Sequence, residues 1–355
     1  MPSSVALETT PAPAKVSKAA AAARTAWIDM ARGMAEVSVV TFHILQAMNN
    51  AGLTPVGLFD FWTPVGDMIR MPLMMFVAGL FVEYSLRKGT KAYFVGKTQR
   101  VIWPYVIWAH VYSIYWYAKP SSFDHRSLEQ VFFTIINPGS HLWFLESLFI
   151  YYVAAYFLLK RGYWTMLAVA AASLLIIPFF EMEEIRRLPY LFLFFVFGIG
   201  FNRILRQRGF PFGPYIGIAL IALAIALPIL ITNQFGYSKY FLIAIPASIV
   251  GVAACLQISR FLVHVPGINK LLMLFGTFSL EIYCAHVVFS SFTRQVLVGV
   301  FHWQSFWPIF LLCTTAGLFL PIVLALGLRR IGLDVLFEWP KHLFQREPAV
   351  EAQNF

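Results

Sequence analysis

Apolar residues run along this chain in long unbroken stretches, without the strict alternation of a strand that faces core on one side and water on the other. Ten of these stretches approach the roughly 20 residues that carry a helix across a bilayer. They fall at 27–47, 64–86, 99–118, 141–160, 163–180, 188–206, 214–232, 240–262, 270–298 and 305–328. A transmembrane barrel needs period-two patterning that is missing here, so the spans must be helices, which satisfy their own backbone groups in lipid. The expected fold is all-α, a polytopic transmembrane bundle of about ten helices. Residues 1–24, rich in Ala, Ser, Pro and Thr, read as a disordered cytoplasmic segment without a cleavable signal, and residues 333–355 as a cytoplasmic tail. The transmembrane domain then occupies residues 25–332.

Composition places this pattern in lipid. Hydrophobic residues make up 59% and charged residues 12%, with a mean hydropathy of +0.70, against roughly a quarter charged in a soluble domain. The net charge of +10 is unevenly spread. With both termini inside, nineteen Lys and Arg fall on the cytoplasmic side and six on the other, and Arg32 and Arg70 lie within spans. That asymmetry orients the bundle and accounts for the excess charge, so nucleic-acid binding need not be invoked. Cys255, Cys284 and Cys313 lie in apolar runs without CxxC spacing, which supports neither a disulfide framework nor a thiolate metal site. No Walker loop or dinucleotide fingerprint is present, which argues against an ATP-driven pump.

Chemistry enters on two polar stripes. At 100° per residue, Asp29, Arg32, Glu36 and His43 share an arc of roughly 60° on the first helix. Charges at bilayer depth each cost about 2.5–3.5 kcal/mol on insertion scales, so this face should look into protein or a wet cavity. A purely structural network, with Arg32 pairing to Asp29 at i−3 and to Glu36 at i+4, explains the acids equally well. It does not reach His43, three turns further on. On the ninth span, read as one helix, Gly276, Ser279, Tyr283, His286 and Ser290 cluster within about 80°, with Glu281 pointing elsewhere. Counting rise per residue puts His43 and His286 at comparable depth in the outer half. Arg70, His141, Trp143 and Glu146 enter from the outer side of the second and fourth spans. This level suits acid–base chemistry on a hydroxyl.

The inner level is basic. Arg32, Lys97 and Arg100 form a group suited to phosphate, although Lys97 and Arg100 also read as ordinary anchors of a helix end. Eleven residues from Arg32 to His43 span roughly 16 Å, comparable to an extended pantetheine arm.

In this order the motifs resemble the acyltransferase 3 family of integral membrane O-acyltransferases, and within it the fucose 4-O-acetylase-like branch. The resemblance rests on Trp27-Ile28-Asp29-Met30-Ala31-Arg32-Gly33, on Arg32 followed by ten residues and His43, and on Met71-Pro72-Leu73 leading into Phe76-Val77-Ala78-Gly79. Arg100 to Pro104-Tyr105, Leu142-Trp143-Phe144-Leu145, and Gly276-Thr277-Phe278-Ser279 through Tyr283 to His286 complete it. It implies about ten helices and transfer of an acyl group, often acetyl or succinyl, from acyl-CoA to a hydroxyl of a surface or secreted carbohydrate. It further implies that the Arg32–His43 pair is essential and that Arg100 lies near the donor. Two positions depart from the pattern: Arg70 stands where a histidine is usual, and Glu146 where an uncharged residue is more frequent. The two either pair with each other or alter acceptor choice.

The expected reaction in a bacterial inner membrane uses His43 on the acceptor hydroxyl, either as a general base or through an acyl-histidine. Asp29 or Glu36 steadies Arg32, and Arg32, Lys97 and Arg100 hold the donor. Arg70, Trp143, Glu146, Ser279, Tyr283 and His286 line the acceptor side, with the Tyr283 hydroxyl as an oxyanion donor and no metal required. The same buried ionisable groups also fit a proton-coupled carrier or flippase of a sugar or glycolipid, and a membrane subunit of a polysaccharide export complex, with the stripes as helix glue.

Overall fold

The computed structural model describes residues 18–117 and 141–340, apart from positions 212 and 238. Residues 1–17, the 118–140 segment with Asp124, His125 and Arg126, and the tail beyond 340 lie outside the described residues. Among the described residues the chain is an all-α bundle without strands. In order, the helices are α1 (Lys18–Asn50), α2 (Leu58–Gly79), α3 (Val82–Leu86), α4 (Thr90–Lys97), α5 (Trp103–Tyr117), α6 (Trp143–Leu159), α7 (Tyr163–Ser173), α8 (Glu183–Arg208), α9 (Pro214–Phe235), α10 (Ile245–Leu262), α11 (Ile268–Thr277), α12 (Ser279–Gln295) and α13 (Phe306–Arg330). A π-helical turn, Thr98–Ile102, joins α4 to α5. Helix α1 starts at Lys18, inside the stretch assigned to a disordered lead.

Among the described residues five helical stretches are long and apolar enough to cross a bilayer: Leu58–Leu86, Glu183–Arg208, Ile216–Phe235, Leu242–Leu262 and Phe306–Arg330. A sixth arises if α11 and the helix from Ser279 to Val300, bent by 89° at their junction, are one broken span. The other expected spans are helices of different character. Helix α1 carries the charged stripe, α6 is 17 residues long, and α5 is 15 residues long and continues from the π turn. The ninth span is therefore not the single helix expected from its length. Its break falls at Phe278, where Thr277 turns its hydroxyl back onto the Met273 carbonyl at 2.8 Å.

The charged stripe of α1 is tolerated because α1 lies inside the bundle, packed by α2, α10, α11, α12 and α13. Met30, Ala31, Ala35, Val39 and Val40 are buried around it. Glycines set the closest approaches. A Cβ on Gly33 would lie 2.0 Å from the Leu272 carbonyl oxygen, and one on Gly276 would lie 1.9 Å from that of Asp29, so α11 rides directly on α1. Gly79 and Gly198 make the same kind of crossing between α2 and α8. Helix α9 covers the outside, with 17% of its most apolar window buried in protein.

Part of the expected tail is folded in. The indole N–H groups of Trp103 and Trp108 donate to the Val335 and Leu336 carbonyls, each at 2.9 Å, and Phe337 is buried.

Candidate active site

Helix α1 runs without a break from Arg32 to His43, so the two stand roughly 16 Å apart on one face. Arg32 Nη1 lies 3.5 Å from Asp29 Oδ1 and 3.5 Å from the Gly276 carbonyl oxygen that the bend at Phe278 brings to it. Its guanidinium also lies over the Phe81 ring, 5.6 Å from the centroid. Glu36, expected to share Arg32 at i+4, is instead fully buried, and neither carboxyl oxygen has a hydrogen-bond partner among the described residues. The reason is that Arg32 turns toward Asp29 and α11, one turn away from Glu36.

Eleven residues on, three imidazoles meet. His43 lies 5.3 Å from His286 and 5.5 Å from His141 between ring centroids, and His141 lies 4.8 Å from His286. The two neighbours of His43 are fixed by backbone. His141 Nε2 faces the Tyr283 carbonyl at 2.9 Å, and His286 Nδ1 faces the carbonyls of Ile282 and Tyr283, both at 2.9 Å. A carbonyl only accepts, so those nitrogens carry protons and the opposite nitrogen of each neutral ring keeps its lone pair. His286 Nε2 is buried without a partner among the described residues. His286 is fully buried, whereas His43 and His141 are half-buried, and only His43 has neither ring nitrogen hydrogen-bonded to a backbone carbonyl among the described residues. His141 and His286 each turn one nitrogen to a carbonyl, and no metal-holding group of His, Cys, Asp or Glu occurs among the described residues.

The wall of this cluster departs from expectation. The Tyr283 hydroxyl donates to the His141 carbonyl, so its proton is committed to tying the turn before α6 to α12 and is not free for an oxyanion. Tyr112 of α5 stacks edge-on against His141 at 5.0 Å and donates to the Cys284 carbonyl at 2.8 Å. Ser290 closes on the His286 carbonyl at 2.7 Å. Ser279, seven residues before His286, stands about 10 Å down α12 and is not part of the cluster. Gly276 belongs to α11 and meets Arg32 instead.

Arg70 does not pair with Glu146. It forms a buried ion pair with Asp67 three residues earlier on α2 and lies over Phe42, 3.4 Å from the ring centroid, beside His43. Glu146 is exposed on α6. The sequence signal for this pair is the i−3 spacing of Asp67 from Arg70, which the polar stripes do not include. Trp143 is half-buried under the Arg187 guanidinium, at 4.3 Å.

At the Arg32 end, Lys97 Nζ lies 3.6 Å above the Tyr152 ring and 3.4 Å from Ser85 Oγ. Burial, with Arg100 and Lys88 nearby, pushes its pKa down to about 8. The Tyr152 hydroxyl is also within electrostatic reach of Arg32, so Lys97 and Arg32 flank one tyrosine. Arg100 is exposed on the π turn.

No curated protein and no solved structure matches this chain. The sequence model of the acyltransferase 3 family, described as an acyltransferase domain, matches residues 25–326, from the start of the α1 stripe almost to the end of α13. A multi-pass helical bundle with the Arg32-to-His43 face at its centre therefore belongs to the acyltransferase 3 family and is a membrane acyltransferase.

Proposed function

We propose that the protein moves an acyl group, acetyl or succinyl, from its coenzyme A thioester to a hydroxyl of a surface or secreted carbohydrate, and does so in a bacterial inner membrane. The observation that carries this reading is a half-buried His43, held between two backbone-fixed imidazoles, on the same helix face as Arg32 roughly 16 Å away. That separation matches the arm between the phosphates and the thioester of coenzyme A. Donor phosphates and pantetheine carbonyls bind Arg32, Lys97 and Arg100, and Asp29 steadies Arg32.

His43 takes the acceptor's hydroxyl proton as the oxygen attacks the thioester carbonyl carbon. The tetrahedral intermediate collapses with loss of the C–S bond, and the imidazolium returns the proton to the departing thiolate. The products are the carbohydrate ester and free coenzyme A. His141 and His286, pinned by their N–H bonds, hold His43 against rotation, and the Arg70 cation beside it favours the developing oxyanion. Glu36 lies between donor and histidine levels as a carboxyl without a hydrogen-bond partner among the described residues, able to receive or return a proton.

The test is release of free coenzyme A from purified protein. It should require both acyl-CoA and a carbohydrate hydroxyl, and His43→Ala should abolish it while insertion and melting stay unchanged. Retained acylation in that variant would remove His43 from the chemistry. Transport of a sugar with no thioester consumed would favour the carrier reading.

A further inference from the structure

Next to the histidines lies a charged cluster of which the mechanism uses Arg70 alone. Asp67 accepts from Arg70 and from the Tyr237 hydroxyl, and Lys239 approaches it at 3.9 Å while pairing with Glu183 at 2.8 Å. Two cations and two anions balance there. Arg186 and Arg187, at the start of α8, have no such compensation. Arg186 lies over Phe241 at 4.0 Å and Arg187 over Trp143 at 4.3 Å. Among the described residues neither forms an ion pair, and the Nε of each is shielded from solvent without a hydrogen-bond partner. Glu183, three and four residues before them, pairs with Lys239 instead, and Glu181 and Glu184 are exposed.

This is a costly arrangement for a helix. Cations this close to a helix N-terminus gain nothing from its dipole, which favours Glu183 and Glu184 of the first turn, and half-buried guanidinium groups without an anion lose hydration that nothing restores. The contact with the Trp143 ring instead restrains the Arg187 fork. Its location is specific. Trp143 is two residues from His141, no more than about 7 Å along the chain, and the His141 ring touches that of His43. Lys239 and Arg70 are both within electrostatic reach of His43.

We propose that Arg186 and Arg187 anchor an oxyanion, carboxylate or phosphate, borne by the acceptor, so that the protein acylates an anionic carbohydrate. The inference rests on the acyl-transfer reading and narrows its acceptor. The guanidinium pair binds the oxyanion through charge-assisted, forked hydrogen bonds and presents a neighbouring hydroxyl to His43. Trp143 is a positioning residue that restrains Arg187.

The experiment uses the full chain in neutral detergent with two tetrasaccharides, one of alternating glucose and glucuronate and one of glucose alone. Their binding is read by thermal shift, and their acylation by coenzyme A release. The anionic sugar should bind, bind less well as salt rises, and be the better acceptor. Arg187→Gln should weaken that binding roughly ten- to hundred-fold, Arg186→Gln should act in the same direction, and Arg187→Lys should recover only part. Equal binding of both sugars by wild type overturns the proposal, and needs no variant to fold. Indifference of both Gln variants also overturns it. An oxyanion could equally come from a lipid headgroup, so the chain is also placed in nanodiscs of phosphatidylglycerol or phosphatidylcholine. Arg-dependent stabilisation by the anionic lipid alone, with no response to the anionic sugar, assigns the pair to lipid and defeats the proposal. Arg-dependent binding without coenzyme A release would leave the anion site standing and defeat the acyl-transfer reading instead.

Discussion

Replacing Gly276 by alanine tests how the donor end is built. The added Cβ would sit 1.9 Å from the Asp29 carbonyl oxygen, and ordinary contact begins at 3.4 Å, so α11 must retreat from α1 by 3.4 − 1.9 = 1.5 Å or tilt by an equivalent amount. The obstruction is helix backbone on both sides, which cannot swing aside as a side-chain tip would. Overpacking of this kind costs about 1–3 kcal/mol. The functional loss should be larger. Arg32 Nη1 reaches the Gly276 carbonyl and Asp29 at 3.5 Å each, the limit of useful contact, so a shift of this size releases the guanidinium. Misplacement by about 1 Å can cost on the order of a hundred-fold. Arg32 is assigned to the donor, so the loss should fall on KM for acyl-CoA more than on kcat. Gly33→Ala, whose Cβ would meet the Leu272 carbonyl oxygen at 2.0 Å, should behave alike. Gly327→Ala, with nothing within 4 Å, should match or slightly exceed wild type in stability. Detergent melting curves and a donor titration of coenzyme A release give the answer. A Gly276→Ala protein with unchanged melting and unchanged KM would refute both the α1–α11 contact and the role of Arg32.

Asp67→Asn should destabilise the bundle by about 3–5 kcal/mol because it leaves Arg70 buried beside a neutral partner. Asp67→Asn combined with Arg70→Met should recover most of that loss, and a double variant as unstable as the single one would contradict the pairing. For Lys97, burial and neighbouring cations place deprotonation near pH 8, so the cation is present below that pH and lost above it. KM for acyl-CoA should therefore rise as pH passes through about 8, and Lys97→Arg should flatten the rise; a pH-independent KM in wild type would take Lys97 out of donor binding.

The parts legible in the sequence are those that one helix encodes by itself. Apolar run length announces helices that cross lipid, and the 3.6-residue period places Asp29, Arg32, Glu36 and His43 on a single face, because both follow from local geometry. The depth argument also brought His43, His141 and His286 to one level, since rise per residue is nearly constant. Contacts between helices needed the tertiary structure. The partner of Arg70 is a choice between Asp67 on its own helix and Glu146 on another, and burial decided it by hiding Asp67 and leaving Glu146 outside. The bend at Phe278 detached Gly276 from the stripe it shares on a helical wheel, because α11 follows the surface of α1 rather than the axis of α12. Glu36 lost Arg32 to Asp29 and to a carbonyl from another helix, and Tyr283 spent its proton on the His141 backbone. Chain periodicity determines which way a side chain faces; only the packing of the helices decides what it meets there, because the energies of desolvation and hydrogen bonding belong to pairs that are distant in sequence.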